Sequence, residues 1–589
     1  MLSILKYYFG YDSFRPMQQE IIQSILTKKD TFVLMPTGGG KSLCYQIPAL
    51  KFDGLTLVIS PLIALMKDQV DTLKANGVPA EFINSSLSKA EILNIQFKAL
   101  QGELKLLYIA PERLDQDGFK DFLHQTNLNL IAVDEAHCIS EWGHDFRPNY
   151  RNLGSLKNEF KEIPIIALTA TATNKVKKDI LNQLNLENPN IFVSSFNREN
   201  LRLIVRPKKD SFEKILNLIQ ERKNESVIIY CFSRKETENI AEKLNKKGHK
   251  ALFYHAGLND DMRKKNQELF LKDEVNIMVA TIAFGMGIDK SNVRLVIHCT
   301  FPKTLEGYYQ EIGRAGRDGL PSDCIMFYSY GEKNKHDFFI NKLVNEKDKT
   351  LSREKMQKVI DYAETKMCRK KFILNYFDEK LNEDCKSCDI CLEEKEMFNA
   401  QEIAIHIMQT IKLTGGFFGA NYIVNVLIGK KSVKDWHKKF YVFGIGQKFR
   451  EEELKDIIEN LIRIGFIKRK NTEFRTLDLT FEGLHFLNSP KRLEIPRLKE
   501  TLKVIEKRKN FEYDEVLFEK LRELRKKLAD ERRVPPFVIF SDASLKEMAF
   551  CIPKNKSEFA KITGVGSEKL KRFGEMFLGV IRDYKETSN

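Results

Sequence analysis

A glycine-rich segment near the N-terminus has the residue types and order of a phosphate-binding loop. Residues 36–42 read Pro-Thr-Gly-Gly-Gly-Lys-Ser and directly follow an apolar run. Consecutive glycines let backbone N–H groups approach and surround phosphate oxygens. Lys41 would reach the β- and γ-phosphates, and Ser42 would bind Mg²⁺ at the start of the next helix. Met35 stands where the common pattern has a small residue, so a plain glycine-rich turn is the alternative. The predicted nucleotide contacts are Thr37, Gly38, Gly39, Gly40, Lys41 and Ser42.

A pair of acidic residues follows another apolar run further along the chain. Leu130–Val133 reads as a buried strand, and Asp134 and Glu135 come directly after it. A carboxylate at the C-terminal end of a strand can hold Mg²⁺ beside a phosphate-binding loop, and its neighbour can polarise an attacking water. An isolated Asp-Glu pair is usually a solvated loop, but this one follows such a strand downstream of residues 36–42. We therefore predict that Asp134 and Glu135 are catalytic.

Two arginines three positions apart could complete a phosphoryl-transfer site. Arg314 and Arg317 lie in the stretch 308–319, and we predict that they share one face of a helix. From there they could cross a cleft and neutralise charge on the γ-phosphoryl group, a role worth about 10³–10⁵ in rate where it has been measured. A surface helix with ion pairs is the alternative for this segment alone. The two preceding motifs favour the catalytic interpretation.

Four of the ten cysteines cluster with the spacing of a metal site. They read C-x16-C-x2-C-x2-C and are Cys368, Cys385, Cys388 and Cys391. Four thiolates satisfy tetrahedral Zn²⁺ and leave no open position, which is typical of a structural site. An iron–sulfur cluster also uses four cysteines and remains open on the residues alone. The other six cysteines are scattered, and disulfides are not expected in an intracellular chain.

The elements that must position these residues follow from the length and the hydrophobic pattern. A chain of 589 residues is too long for one core, and a net charge of +15 favours polyanionic partners. We expect no membrane span and no export signal. Apolar runs that alternate with helical stretches predict an α/β fold in which two parallel sheets lie in tandem. The predicted strands are Thr31–Met35, Leu55–Ser60, Lys105–Ile109, Leu130–Asp134 and Ile165–Thr169, then Ser226–Cys231, Lys250–His255, Ile277–Thr281, Leu295–His298 and Cys324–Tyr328.

These motifs resemble motifs I, II and VI of superfamily-two helicases, and further segments resemble the RecQ family. The additional matches are residues 9–18, 60–62, 168–172, 254–258 and 280–290, and the likeness runs from about residue 7 to residue 580. It implies two RecA-like lobes followed by helical zinc-binding, winged-helix and all-α HRDC domains, and it favours zinc over an iron–sulfur cluster. We expect the domains at 1–200, 201–332, 333–397, 398–489 and 511–586, with a linker at 490–510.

The resemblance also implies roles for residues outside the phosphate-binding motifs. Gln18 would read the adenine edge, with Tyr11 and Arg15 flanking the ring, and Gln310 would contribute to nucleotide binding. Residues 138–148 resemble the aromatic-rich loop of RecQ helicases, which links bound single strand to the ATP site. Stacking on unpaired bases is worth about 1–3 kcal/mol for each base. The predicted DNA contacts in this loop are Trp142, His144, Phe146 and Arg147.

The C-terminal third is expected to bind DNA. Between Lys430 and Arg475 there are thirteen Lys or Arg against seven Asp or Glu, a surplus of six that suits phosphate contacts. A late strand pair, near 465–470 and 475–480, would form the wing, with Phe474 as a candidate wedge at its tip. The terminal segment resembles HRDC domains, accessory single-strand binders in which a tyrosine is common where Phe537 stands. A purely structural helical bundle is the alternative for this segment.

Together these features predict an ATP-dependent DNA helicase, and the resemblance implies 3′-to-5′ movement and a role in recombination and repair. ATP, Mg²⁺ and Zn²⁺ are the expected cofactors. Single-stranded, forked and junction DNA are the expected partners, a single-stranded-DNA-binding protein is a further candidate, and a monomer in the cytoplasm at the nucleoid is expected. An RNA-unwinding enzyme and an annealing protein with a vestigial ATPase remain as alternatives.

Overall fold

The computed structural model describes residues 1–588 except 62, 86, 141–146, 286–289, 393–394, 471–475, 499–512 and 533. Two compact units are present, one formed by Met1–Cys391 with Lys507–Asn589 and the other by Leu392–Glu506. In the described part of the chain, no helix is both long and apolar enough to cross a membrane.

The first lobe of the larger unit is built on a seven-stranded parallel sheet with the strand order β3-β4-β2-β5-β6-β1-β7. Its strands are β1 (Thr31–Leu34), β2 (Leu55–Ile59), β3 (Ala80–Ile83), β4 (Leu106–Ile109), β5 (Leu128–Val133), β6 (Ile165–Thr169) and β7 (Asn190–Val193). Its helices are α1 (Leu2–Ile4), α2 (Gln18–Leu26), α3 (Leu43–Lys51), α4 (Ile63–Ala75), α5 (Lys89–Leu100), α6 (Phe119–Gln125), α7 (Gly154–Glu159) and α8 (Asn174–Gln183).

Both faces of this sheet are buried, which is why its strands are continuous apolar runs. In β1, Phe32 and Leu34 pack into one apolar cluster, whereas Val33 packs into another on the opposite face. The five strands predicted for this lobe are confirmed within one or two residues at their ends. Because β6 lies between β1 and β5 in the sheet, the segments that follow these three strands meet at one edge.

The second lobe holds a six-stranded parallel sheet with the order β10-β11-β9-β12-β13-β8. Its strands are β8 (Leu201–Pro207), β9 (Ser226–Tyr230), β10 (Ala251–Tyr254), β11 (Ile277–Ala280), β12 (Val293–His298) and β13 (Ser322–Tyr328). Its helices are α9 (Ser211–Gln220), α10 (Arg234–Lys246), α11 (Asp260–Leu271) and α12 (Leu305–Ile312). The prediction of two parallel sheets in tandem is confirmed.

The cysteine cluster lies in a helical module that follows the second lobe. Its helices are α13 (Lys333–Ile340), α14 (Glu346–Glu364), α15 (Arg369–Tyr376) and α16 (Asp389–Leu392). Arg369, at the start of α15, is buried and forms a bidentate ion pair with Asp389. The Asp389 carboxylate also accepts a hydrogen bond from the backbone N–H of Val205 in β8. These contacts attach the module to the second lobe, because a buried charge is tolerated only when its hydrogen bonds are satisfied.

The smaller unit is a compact helical module with two antiparallel strand pairs. Its strands are β14 (Lys395–Asn399), β15 (Ile467–Arg469), β16 (Leu477–Leu479) and β17 (Glu494–Leu498), and its helices are α17 (Gln401–Leu413), α18 (Ala420–Leu427), α19 (Glu451–Ile464) and α20 (Phe481–Asn488). The predicted late strand pair corresponds to β15 and β16. The predicted linker at 490–510 is wrong where β17 forms, because β17 pairs with β14 and closes the unit.

The terminal segment of the larger unit forms a helical domain with its own apolar core. Its helices are α21 (Glu515–Arg532), α22 (Pro536–Ile539), α23 (Asp542–Cys551), α24 (Lys556–Phe559) and α25 (Ser567–Ser588). Leu521, Phe540, Leu545, Phe559 and Phe577 are buried in this core. The all-helical prediction for this segment is confirmed.

Candidate nucleotide site and zinc centre

The glycine-rich loop connects β1 to α3, and its backbone uses conformations that favour glycine. Gly38 and Gly40 have φ values of +78° and +86°. Ser42 is the N-cap residue of α3, and its side chain makes no capping hydrogen bond to the helix backbone. The ammonium group of Lys41 donates to the carbonyl oxygens of Met35 at 3.1 Å and Pro36 at 3.4 Å, so the lysine is held back inside the curve of the loop.

The carboxylate pair at the end of β5 is half-buried close to Lys41. Burial and the neighbouring charge of Glu135 raise the pKa of Asp134 to about 7, although Lys41 opposes the shift. Burial likewise lowers the pKa of Lys41, and Glu135 and Asp134 oppose that shift. Crowded carboxylates of this kind are stabilised in the ionised form by a cation. Asp134 and the Ser42 hydroxyl thus have the chemistry that a divalent metal such as Mg²⁺ requires.

A histidine connects this pair to the end of β6. His137 Nδ1 lies 2.9 Å from Thr169 Oγ1 and 3.3 Å from Glu135 Oε2. The backbone φ of Glu135 is +47°, which is unusual for a residue other than glycine. His137 therefore links two of the segments that meet at the sheet edge, the one after β5 and the one that ends β6. Neither His137 nor Thr169 was predicted from the sequence to have a role.

The residues expected to read the adenine lie beside the loop. Gln18 is buried, and its amide is engaged: Nε2 donates to the Gly40 carbonyl at 3.0 Å and Oε1 accepts from the Arg15 N–H at 2.9 Å. Arg15 also donates to the Gly38 carbonyl. Tyr11 is 39% exposed. The segment is therefore attached to the phosphate-binding loop by hydrogen bonds from two of its three predicted residues.

The paired arginines do not lie on a helix face, so that prediction is wrong. Helix α12 ends at Ile312, and Arg314 and Arg317 lie in the turn that follows it. Gly316, with a φ of +56°, lies in this turn and has a backbone conformation that no α-helix contains. A Cβ built on Gly316 would lie 2.4 Å from the Asn200 amide, so only glycine fits here. The turn holds Arg314 buried rather than on a solvated surface.

Arg198, which the sequence analysis missed, connects the two lobes. Its guanidinium donates across the cleft to the carbonyl of Thr37 in the glycine-rich loop. On the other side it donates to the carbonyls of Ala315 at 3.1 Å and Gly316 at 2.9 Å, next to the paired arginines. The fixed fork of an arginine suits such a bridge. The only signal in the sequence is its position in a polar stretch between the two lobes.

One cavity of about 470 Å³ brings the predicted residues of both lobes together. Lys41, Asp134 and Glu135 line it from the first lobe, and Arg314 and Arg317 line it from the second. The other predicted residues that line it are Tyr11, Arg15, Gln18, Thr37, Gly38, Gly40, Ser42 and Gln310. Gly39 is the predicted nucleotide contact that does not contribute to the wall, since it faces Pro36.

Four of the five predicted DNA contacts lie outside the described residues, namely Trp142, His144, Phe146 and Phe474. Arg147 is described, and its Nη1 donates to the Pro61 carbonyl at 2.8 Å. Its side chain therefore ties the end of the aromatic-rich loop to the segment that follows β2.

The smaller unit exposes aromatic side chains that the sequence analysis did not single out. Phe417, Trp436 and Tyr441 are between 61% and 75% exposed. The ammonium group of Lys434 lies 5.2 Å from the centre of the Trp436 ring, and that of Lys470 lies 5.6 Å from the Phe417 ring. Exposed rings beside lysines form a surface that suits bases and phosphates.

The four predicted cysteine ligands meet at one point. All four sulfur atoms lie within 4.8 Å of one another, and Cys391 Sγ lies 3.4 Å from Cys388 Sγ and 3.8 Å from Cys385 Sγ. A tetrahedral zinc ion with Zn–S bonds of about 2.3 Å would place its sulfurs about 3.8 Å apart. The backbone N–H of Cys385 donates to Cys368 Sγ at 3.3 Å, as expected for thiolate ligands. The cluster fits zinc.

A P-loop and a carboxylate pair that face two arginines across a cleft between parallel-sheet lobes are the arrangement of nucleotide-driven helicases. Comparison with protein families agrees. The chain matches the DEAD/DEAH box helicase family over residues 15–180, the helicase conserved C-terminal domain over 210–319, RecQ zinc-binding over 330–392, the RQC domain over 394–503 and the HRDC domain over 514–581.

Bacterial relatives match along the full chain. The protein called ATP-dependent DNA helicase RecQ in Haemophilus influenzae is 44% identical, covering 99% of this chain and 96% of the relative. Proteins of the same name are 43% identical in Pasteurella multocida, over 99% of this chain and 94% of the relative, and 43% identical in Bacillus subtilis, over 99% and 98%. The chain belongs to the RecQ family of ATP-dependent DNA helicases, and it contains a zinc-binding domain.

Proposed function

We propose that this chain hydrolyses Mg²⁺-bound ATP between its two lobes and uses the energy to move 3′-to-5′ along single-stranded DNA, unwinding forked and junction duplexes in recombination and repair. The observation that carries the proposal is the single cavity lined by Lys41, Asp134 and Glu135 from one lobe and by Arg314 and Arg317 from the other. A nucleotide in that cavity would contact both lobes at once.

Each of these residues has a chemical role in the proposal. Lys41 binds the β- and γ-phosphates, and Glu135 orients the attacking water. Arg314 and Arg317 neutralise the charge that develops on the γ-phosphoryl group. Mg²⁺, held by Ser42 and Asp134, would supply charge neutralisation at the phosphates. The raised pKa of Asp134 supports this assignment, because a cation there would favour its ionised form.

The base and ribose would be held at the other end of the cavity. Tyr11 and Arg15 flank the adenine, Gln18 reads its edge, and Gln310 contacts the nucleotide from the second lobe. The backbone of residues 38–40 surrounds the phosphates. Since the Gln18 amide bonds the Gly40 carbonyl and the Arg15 N–H, adenine recognition and the shape of the phosphate-binding loop are coupled through one side chain.

Movement would follow from cyclic closure of the cleft. ATP bridges the two lobes through Lys41 and Glu135 on one side and the paired arginines on the other, and hydrolysis removes this bridge. If the lobes bind DNA differently in the closed and open states, the strand moves once in each cycle of ATP binding and hydrolysis. We propose that single-stranded DNA contacts the aromatic-rich loop and that this loop links DNA binding to the ATP site. The residues assigned to this contact are Trp142, His144, Phe146 and Arg147.

Duplex DNA would be bound downstream. The basic surplus between residues 430 and 475 and the exposed rings of Phe417, Trp436 and Tyr441 support a DNA-binding surface on the smaller unit. We propose Phe474 as the wedge that stacks on the opening base pair. We further propose that the helicase acts as a monomer in the cytoplasm at the nucleoid, with a single-stranded-DNA-binding protein as a partner.

Strand separation on tailed duplexes tests substrate, energy source and direction together. We expect unwinding of a 3′-tailed duplex with Mg²⁺ and ATP, little unwinding of a 5′-tailed duplex, and none without ATP. Lys41→Ala should abolish unwinding, whereas Lys51→Ala, an exposed lysine at the end of α3, should not. Single-stranded DNA should stimulate ATP hydrolysis more than RNA of the same sequence. A hydrolysis rate that no oligonucleotide changes would contradict the proposal.

A further inference from the structure

The terminal helical domain packs against the first lobe directly beside the adenine-reading segment. The backbone N–H of Gly564 donates to the Gly10 carbonyl at 3.0 Å. A Cβ built on Gly10 would lie 2.5 Å from the backbone of Val565 and Gly566, so the two chains touch backbone to backbone. Gly10 immediately precedes Tyr11, and the domain therefore contacts the rim of the proposed nucleotide site.

The same domain reaches the second lobe through charged side chains. Arg525 is fully buried, pairs with Asp542 of its own domain at 2.7 Å, and lies 3.9 Å from Asp273 of the second lobe. Arg522 donates to the Asn224 carbonyl of that lobe at 3.0 Å. The domain thus touches both lobes, and a buried arginine between two carboxylates anchors one of the two contacts.

The nucleotide cavity is lined in part by this domain. Phe537, Ser541, Thr563 and Lys569 contribute to the same wall as the phosphate-binding loop and the paired arginines. Four other cationic side chains line the cavity, namely Arg15, Lys41, Arg314 and Arg317, and the acidic ones are Asp134, Glu135 and Asp318. A cavity with this balance suits a polyanionic ligand.

Among the described residues, Lys569 has no acidic partner that would account for a lysine in this wall. Among the residues that the structure describes, its ammonium group has a ring contact with Phe540, 5.8 Å from the ring centre, and neither a hydrogen bond nor an ion pair. Burial alone lowers the pKa of Lys569 to about 8. Lys569 is half-buried in the cavity wall, and a ligand phosphate would compensate for the partial desolvation of its ammonium group.

We propose that the terminal helical domain is part of the ATP site and that Lys569 binds an anionic oxygen of the nucleotide's phosphates. Docking of the domain and binding of nucleotide then stabilise each other, because the lysine can reach the ligand only when the domain is docked. This inference rests on the proposed function, since it assumes that ATP occupies this cavity.

Nucleotide affinity and turnover of full-length variants test the inference. Lys569→Met keeps the aliphatic stem and removes the charge, Lys569→Arg keeps the charge, and Lys571→Met changes an exposed lysine of the same helix that does not line the cavity. The probe is mant-ATP with Mg²⁺ in equilibrium titrations, and ATP hydrolysis is measured with saturating single-stranded DNA.

We expect Lys569→Met to raise the Kd for mant-ATP and the KM for ATP by about tenfold, the effect of losing one charge-assisted contact, with kcat changed less than about twofold. Lys569→Arg should recover most of the affinity, and Lys571→Met should match the wild type. Unchanged Kd and KM in Lys569→Met, or a fall in kcat alone, would overturn the inference. A wild type that does not bind mant-ATP would overturn the proposed function itself.

Discussion

Arg198 shows how a single side chain can hold a catalytic cleft together. It donates to Thr37 in the phosphate-binding loop and to Ala315 and Gly316 in the turn that carries the paired arginines. We expect Arg198→Lys to lower kcat for ATP hydrolysis by about tenfold, or about 1.4 kcal/mol in activation free energy, because one ammonium group cannot span both lobes. Steady-state hydrolysis with saturating DNA measures this effect.

The matched control for Arg198 is Arg206→Lys, which changes an exposed arginine in the following strand. That variant should hydrolyse ATP at the wild-type rate, and both variants should bind single-stranded DNA with unchanged affinity. If Arg198→Lys retained full kcat, the bridge between the lobes would have no catalytic value.

Lys569 should lower the free energy of unfolding of the protein when no nucleotide is bound. Its pKa is lowered by burial from 10.5 to about 8, so folding favours the neutral form. At pH 7 the folded protein must keep this lysine charged, and that cost is relieved as the pH rises from about 8 to 10.5. We therefore expect Lys569→Met to raise the Tm of the nucleotide-free protein at pH 7, with a smaller difference from the wild type at pH 10.

Thermal unfolding at the two pH values, with Lys571→Met as the reference, measures this difference. A variant that gains stability while it loses nucleotide affinity would place Lys569 among the residues that are kept for function at a cost in stability. A Tm gap that grows between pH 7 and pH 10 would contradict the assignment of the shift to burial.

At the scale of elements, local patterns predict the strands that are buried on both faces and the motifs that follow them. Strands such as β1 and β9 are continuous apolar runs, and they were predicted with nearly correct limits. In contrast, β7 was not predicted: its apolar run is only three residues long, and the strand is mostly exposed at the sheet edge. The pairing of β14 with β17 joins segments about one hundred residues apart, which no local pattern can indicate.

The same distinction applies to the candidate site. The sequence predicts Lys41, Asp134 and Glu135, because each belongs to a short contiguous motif that directly follows a predicted strand. Arg198 and Lys569 could not be predicted, since their value depends on tertiary contacts with segments more than one hundred residues away. The paired arginines were predicted as functional residues, but their turn conformation was not, because it depends on the close approach of Gly316 to Asn200.

The zinc module should support the fold more than the chemistry. Its four thiolates bring the residue before α15 close to α16, although sixteen residues separate Cys368 from Cys385. We expect Cys388→Ser to lose bound zinc and to lower the Tm by on the order of 10 °C, as a loss of several kcal/mol would in a domain of this size. Metal content and thermal unfolding measure both effects.

The control for the zinc prediction is Cys551→Ser, which changes an exposed cysteine outside the cluster. It should keep its zinc and its Tm. For Cys388→Ser, hydrolysis per folded molecule at low temperature should fall less than stability does. Full stability without zinc would show that packing around Arg369 and Asp389 is sufficient to hold the module.

At the scale of the whole molecule, the larger unit is held together by a buried network of charges. Arg294 pairs with Asp318, next to the arginine turn, and Lys290 pairs with Asp273. Arg525 of the terminal domain approaches Asp273 and is neutralised mainly by Asp542. Burial would raise the pKa of Asp542, but Arg525 and Arg294 lower it to about 2. Its stabilising effect is therefore complete above about pH 4 and is lost only as the pH falls toward 2.

Removal of Asp542 should release the terminal domain from the lobes. Asp542→Ala leaves Arg525 buried with one carboxylate at 3.9 Å, and breaking a buried pair in this way typically costs about 3–5 kcal/mol. Hydrogen exchange measures the release directly, because the Gly564 N–H donates across the interface to Gly10. We expect that amide to exchange faster at pH 7 in Asp542→Ala, while Asp530→Ala, an exposed change on α21, leaves it protected. If exchange rose throughout α21–α25 while Gly564 stayed protected, Asp542 would stabilise only its own domain, and docking would depend on the Gly10 contact alone.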